Sequence, residues 1–287
     1  MIINIHIDSF NMDSQEYSAD LSKEKSIAIT LLPNGKQPNH FGAPACTSKT
    51  LEMGSYIGDT KRGGSCNANV LTMIPHCNGT HTESVSHIVN ELVPVFKSIK
   101  QSLFPSVLIS INPISPSETK DHYQPFMDES NKVISKNQLM NLLDSYSDEQ
   151  LQGLIVRTLE DSKGQNKIEK KSMVYDEDHY PPYFTNNAMQ YLIDRNVSHL
   201  LVDFPSVDKM YDDGQLTNHR LFWNVKKGET NLNEQSTIKK TITEMVFIED
   251  KIEDGFYLCN LQMPEINTDA VPSRPILYAL KEINQTK

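Results

Sequence analysis

The sequence predicts an α/β fold, on three observations. Short apolar, β-prone segments recur at Ser26–Leu32, Val70–Ile74, Ser106–Ile111, Leu154–Thr158, His199–Asp203, Ile242–Phe247 and Phe256–Leu261. Capped amphipathic helical patterns fall between some of them. The order strand, helix, strand across residues 154–203 is the pattern of a parallel βαβ unit. With 287 residues, of which 38% are hydrophobic and 22% charged, the chain can bury one large core. It reads as a single domain spanning 1–287.

The elements follow in order. Ser26–Leu32 partly alternates and reads as a strand, followed by loop and short strand over 33–65, where Gly, Pro, Asn and Thr abound. Val70–Ile74 reads as a strand, and residues 88–93 as a short helix or extended segment stopped by Pro94. Ser106–Ile111 is a strand ended by Asn112-Pro113. Ser135 and Gln138 form a capping box ahead of Leu139, Leu142 and Leu143, and Ser147 with Gln150 repeats the pattern before Gly153. Leu154–Thr158 is a buried strand. Thr185 caps a helix that runs to a stop at Asn196, and His199–Asp203 is the next strand. Polar stretches near 113–134, 159–183 and 226–237 read as surface insertions, of the kind that shape sites on a rigid scaffold.

Composition excludes several function classes. The formal charge of −10, with no basic run longer than Lys170-Lys171 or Lys239-Lys240, leaves no footprint for a nucleic acid or an anionic membrane. No apolar run approaches the ~20 residues of a membrane span, and the first residues lack the basic and apolar regions of a signal peptide. Four widely spaced cysteines do not make a disulfide framework, so the expected setting is cytoplasmic and the expected partner a small molecule.

The chemistry concentrates in Cys77-Asn78-Gly79-Thr80-His81-Thr82-Glu83-Ser84-Val85-Ser86-His87. Thiolate, imidazole and carboxylate are all ligands for a divalent ion, with thiolate favouring zinc over manganese. Cys77, His81 and Glu83 are candidate ligands if the backbone turns sharply, a freedom Gly79 could supply, while His87 could be a further ligand or carry protons near working pH. Each residue taken alone is more often structural or solvated. Together they favour a site, although the spacing fits no zinc-finger or HExxH template.

The same run resembles the signature of the metal-dependent cyclase family, which includes bacterial kynurenine formamidases and isatin hydrolases: His-x-Gly-Thr-His-x-Asp-x-Pro-x-His. Gly79, Thr80, His81 and His87 match outright. Cys77 stands for the first His, Glu83 for Asp and Val85 for Pro. Further marks follow in the family's order: Asp20-Leu21-Ser22, Leu154–Thr158, Val202–Asp208, Asn218–Phe222, Ile242–Met245 and Pro272–Pro275. The resemblance implies a swivelling β/β/α-type cyclase fold assembled as a homodimer or larger oligomer. It implies metal ligands at Cys77, His81 and Glu83, completed by His219 and Glu244, with Glu83 bridging and His87 handling protons. It also implies hydrolysis of an amide or cyclic amide, arylformamidase-like, with zinc first and manganese as the alternative.

The departures leave other outcomes open. Cys77 would lower the metal's Lewis acidity, and His76 could replace it only through a shift in the turn. A fold retained as a small-ligand-binding protein without turnover is the alternative, and Cys77 acting as a nucleophile is a third. Arg157 and Arg274 are expected to brace the fold. Asp203 and Asp208 could do the same or support the ligands, and Phe222 and Trp223 could pack the core or wall an aromatic pocket.

Overall fold

The structure is a computed structural model that describes residues 1–9, 12–159 and 167–283. Eleven strands among the described residues form one mixed sheet. They are β1 (Ile2–Ser9), β2 (Met12–Asp20), β3 (Lys25–Ser26), β4 (His81–Glu83), β5 (Leu103–Ile111), β6 (Gly153–Thr158), β7 (His199–Val202), β8 (Thr241–Glu244), β9 (Gly255–Asn260), β10 (Ala270–Pro272) and β11 (Ile276–Glu282). The spatial order is β1-β2-β11-β9-β5-β6-β7-β8-β4-β10, with β3 beside β11. The middle of the sheet, β5 to β8, is parallel, and both flanks are antiparallel.

That division follows from the residues. A parallel sheet is covered on both faces, so its strands read as continuous apolar runs. Val107–Ile109, Leu154–Val156 and Leu200–Val202 are such runs, and all are buried. Among the described residues, five α-helices accompany the sheet: α1 (Pro75–Asn78), α2 (Val95–Ser98), α3 (Lys136–Leu143), α4 (Asn186–Asp194) and α5 (Thr217–Trp223). The predicted caps start α3 and α4: Ser135 forms its capping box with Gln138, and Thr185 Oγ1 accepts from the Ala188 N–H. Leu139, Leu143, Met189 and Leu192 on these helices pack against one face of the parallel strands. Ile27, Val246, Ile248 and Leu277 cover the other face. No helix among the described residues is long and apolar enough to cross a membrane.

Three local expectations fail, for physical reasons. Ser26–Leu32 is strand only at its start. Beyond that Ala28 makes a single bridge to Val246 while Ile27 plugs the core, so the segment is held by burial and not by a ladder. Asn69–Thr72 is a strand, but it pairs with Thr47–Thr50 in a separate ribbon that leaves Val70 and Leu71 exposed. Residues 88–93 are neither helix nor strand, because the Ser86 hydroxyl takes the Val93 N–H and donates to the Glu91 carbonyl, satisfying the backbone locally. The polar stretch near 113–134 ends in Val133–Ile134, paired with Tyr183–Phe184. That near 159–183 contains Val174–Tyr175, paired with Asn39–His40, and its residues 160–166 lie outside the described residues.

Candidate metal centre

β4 lies between β8 and β10 and is antiparallel to both, with His81 opposite Glu244 and Pro272, and Glu83 opposite Ile242 and Ala270. Side chains two apart on a strand share a face. His81 and Glu83 therefore project together, and Glu244 joins them from across the ladder. His219 arrives from α5: its Nε2 lies 2.9 Å from Glu83 Oε1 and 3.7 Å from Glu244 Oε1. His81 Nε2 lies 3.5 Å from Glu244 Oε2. All four side chains are buried. Thr80 anchors the strand from behind: its hydroxyl accepts the Ile29 N–H and donates to the Met245 carbonyl. Gly79 does not supply the expected freedom. At φ 170° it is extended backbone that any residue adopts.

His76, which the sequence reading set aside, belongs to the cluster. Pro75 starts the one-turn helix α1, and on a helix neighbouring side chains point about 100° apart. His76 turns inward, with Nδ1 3.0 Å from Glu83 Oε2 and Nε2 2.8 Å from Asp269 Oδ2. Among the described residues, the candidate ligand trios whose atoms all lie within 4.8 Å of one another are His76, His81 and Glu83; His76, His87 and Asp269; and Glu83, His87 and His219. Cys77 is in none of them. It is half-buried, and burial raises its thiol pKa, with the Glu244 carboxylate adding to the rise. The structure thus brings His81, Glu83, His87, His219 and Glu244 together, adds His76 and Asp269, and leaves Cys77 at the margin.

His87 sits at the half-open edge, stacked on His76 with ring centroids 4.2 Å apart. Its Nδ1 lies 3.8 Å from Asp269 Oδ2 and 3.9 Å from Glu83 Oε2. Behind His219, Asp208 Oδ2 holds Nδ1 at 2.6 Å. Asp269 had no local sequence signal, because it stands just before β10 and meets the site only through the ladder.

Opposed effects set the charges. Burial opposes ionisation of Glu83, yet His87 and His219 hold its carboxyl well below the usual range. Burial also opposes a charged His219, but Glu83 and Asp208 raise it well above the ordinary histidine value. His76 is likewise pushed up to about 10, against burial, by Asp269 and Glu83.

Two buried atoms show that the residues fit a cation. The Gly79 carbonyl lies 3.0 Å from His81 Nδ1 and can only accept, so Nδ1 carries the proton and Nε2 presents a lone pair. That Nε2 is buried with no hydrogen-bond partner, and it faces the acceptor oxygen of Glu244. Glu83 Oε2 is also buried without one, with His76 Nδ1 3.0 Å away as an ion-pair partner. Converging lone pairs that lack donors are costly in a protein interior unless a positive ion binds them.

An aromatic wall adjoins the centre. His40 is buried with both ring nitrogens unpartnered, and its pKa falls to about 4, through burial first and then through its proximity to His81. The Phe41 ring lies 3.8 Å from that of His40 and 6.2 Å from Tyr211, and Tyr211 lies 6.1 Å from Tyr180. Phe41 has φ 59°, a left-handed conformation that a bulky side chain rarely takes. Beside this wall is a cavity of about 510 Å³ lined by Tyr175, Tyr180, Lys170 and Asp203, at the carboxyl ends of the parallel strands.

A family model described as "Putative cyclase" matches residues 17–209. The chain belongs to this cyclase family. The match takes in the run from Cys77 to His87 and Asp208, while His219, Glu244 and Asp269 lie beyond it. Solved structures with the cyclase-family fold include a predicted metal-dependent hydrolase from Bacillus stearothermophilus, 15% identical over 89% of this chain and 98% of that one, with a TM-score of 0.56. They also include an isatin hydrolase bound to the product analogue thioisatinate, 13% identical over 90% of this chain and 93% of that one, TM-score 0.60. Isatin hydrolase A from Ralstonia solanacearum is 14% identical over 89% and 91%, TM-score 0.57. A search of curated proteins found no match.

The expected bracing roles fit the geometry of this cyclase-family chain. Arg157 pairs with Asp254 at 2.7 Å and donates to the Glu249 and Ile252 carbonyls, and Arg274 pairs with Glu24 at the surface. Asp203 accepts the Thr158 N–H and pairs with Lys170. Phe222 and Trp223 are core residues, with the Trp223 ring 5.5 Å from His219.

Proposed function

We propose that this cyclase-family chain is a metal-dependent hydrolase that opens an amide or cyclic amide bond in a small aromatic molecule, with arylformamidase-like chemistry. The observation that carries the reading is the buried, unpartnered Nε2 of His81 facing the Glu244 carboxylate, among His76, Glu83 and His219. Those five residues would hold the ion, with His76 in the place the sequence assigned to Cys77. Losing the thiolate removes the argument that set zinc above manganese, since imidazole and carboxylate suit both.

When bound, the ion supplies Lewis-acid polarisation of a carbonyl and makes water acidic enough to attack near neutral pH. The chain's own groups do the rest. Asp208 fixes the proton of His219 on Nδ1 and so aims Nε2 inward. His87 presents Nδ1 to Asp269 and Glu83, which leaves its other ring nitrogen to pass a proton to the leaving nitrogen. Phe41 and Tyr211 offer a face for an aromatic substrate. An isatin hydrolase among the fold neighbours supports the substrate class.

Elemental analysis of chain purified without chelator tests the first half: one or two equivalents of zinc or manganese are expected. His76→Ala should lose metal and amide hydrolysis together, while Cys77→Ser keeps both. Loss of metal in Cys77→Ser with retention in His76→Ala would restore Cys77 as the ligand. Loss of activity in Cys77→Ser at unchanged metal content would make it a nucleophile.

A further inference from the structure

A second cavity, of about 520 Å³, opens between α4 and α5. Thr217, Arg220 and Leu221 line it along a single face of α5, and Asn224, the residue that caps the helix, follows them. His219 and Trp223 lie on the buried side of the same helix. The metal centre and this cavity therefore share a helix but not a face.

In a chain of charge −10, this cavity is lined by four cations and no carboxylate: Arg220, Lys226, Lys227 and Lys240. Among the described residues, no carboxylate lies within ion-pair distance of Arg220, Lys227 or Lys240, and Lys226 reaches only Glu229, at 4.0 Å on the exposed rim. Arg220 donates to the carbonyls of Gln215, Lys226 and Glu229, which pins the loop carrying both lysines beside the opening. Lys240 is half-buried with its Nζ 4.8 Å above the Phe222 ring, and burial alone lowers its pKa to about 8. A desolvated ammonium without a counter-charge is unfavourable, and an anion bound beside it would relieve that cost. Ile193 and Leu221 give part of the remaining wall an apolar surface, beside the amides of Gln124 and Gln190 and the Thr237 hydroxyl.

We propose that this cavity binds a small organic anion, a carboxylate carried on an apolar body, with Lys240 and Lys227 engaging the charge and Ile193 and Leu221 packing the body. The site is separate from the metal centre, and the proposal stands whether or not the hydrolase reading does. A compact anion such as phosphate would use the cations and waste the apolar wall. The chain also carries a reporter: its single tryptophan, Trp223, donates Nε1 to the Lys240 carbonyl at 3.1 Å, and its ring lies 6.2 Å from Phe222.

The test uses the full chain, stripped with chelator and dialysed so that the metal centre cannot bind a carboxylate through an ion. Benzoate is titrated against Trp223 emission and by calorimetry, with inorganic phosphate in a parallel arm. One saturable site for benzoate is expected, and phosphate should displace it only at much higher concentration. Lys240→Gln should weaken benzoate by about 10-fold or more, the worth of one charge-assisted hydrogen bond. The exposed Lys227→Gln, which cannot disturb the core, should weaken it by roughly 2- to 5-fold. Lys239→Gln, whose Nζ is directed to the Lys97 carbonyl, should leave it unchanged. Three results would each overturn the proposal: no saturable binding, benzoate affinity unchanged in both variants, or phosphate binding as tightly as benzoate.

Discussion

Asp208→Asn separates a carboxylate that aims a ligand from one that merely fills space. Asp208 is 1% exposed. Its Oδ2 accepts from His219 Nδ1 at 2.6 Å and from the His219 backbone N–H at 3.1 Å, and its Oδ1 accepts from the Asn218 N–H at 2.7 Å and the Tyr123 hydroxyl at 2.7 Å. An amide of the same shape has one accepting oxygen and one donating nitrogen. Whichever way it turns, a buried backbone N–H meets a donor. That loss costs about 1–3 kcal/mol, and weakening the charge-assisted bonds that remain adds about 1 kcal/mol or more, so the expected destabilisation is roughly 2–5 kcal/mol.

The functional effect is distinct. With the amide nitrogen towards His219, Nδ1 must become the acceptor and the proton moves to Nε2, the atom aimed at Glu83 and Glu244. Metal affinity should fall by about 10- to 100-fold. Urea unfolding followed by circular dichroism measures the first quantity, and competition with a metal indicator at a temperature where the variant is fully folded measures the second. A variant destabilised as expected but binding metal like the parent would refute the orienting role. Asp208 would then be a packing residue.

Other perturbations test separate parts of the structure. His199 is buried and its pKa is lowered to about 4, so the unfolded chain takes up the proton first as the pH falls. Its contribution is complete above the ordinary histidine value of about 6.5 and is lost on descending towards pH 4, to the extent of about 3 kcal/mol; His199→Gln should flatten that part of the stability–pH curve in urea titrations. Gly153→Ala places a Cβ 2.2 Å from Ser106 Oγ and 2.7 Å from Phe104 Cε2 in the middle of the sheet, and should cost about 1–3 kcal/mol in the urea midpoint; an unchanged midpoint would show that β5 yields there. Phe41→Ala should raise KM for an aromatic amide by roughly 2- to 10-fold at unchanged kcat, the worth of one aromatic contact, and an equal effect on an aliphatic amide would remove the aromatic wall from substrate recognition.

The sequence by itself determined the parallel pair within 154–203, from the order strand, helix, strand, and its strands Leu154–Val156 and Leu200–Val202 are the continuous apolar runs that burial on both faces requires. It also determined the starts of α3 and α4, because Ser135 and Thr185 satisfy backbone donors within three residues of themselves. In the site it carried His81, Glu83 and His87, whose spacing is local, and reached His219 and Glu244 through family resemblance. Tertiary structure decided the rest. Whether His76 or Cys77 faces the centre depends on one helical turn at Pro75, a rotation that ligand spacing does not encode. Asp269 and His40 join the centre through strand neighbours some 190 and 40 residues from His81 along the chain. The basic cavity exists only because α4, α5 and the segment before β8 pack together, gathering lysines and an arginine that are scattered singly or in pairs along an acidic chain.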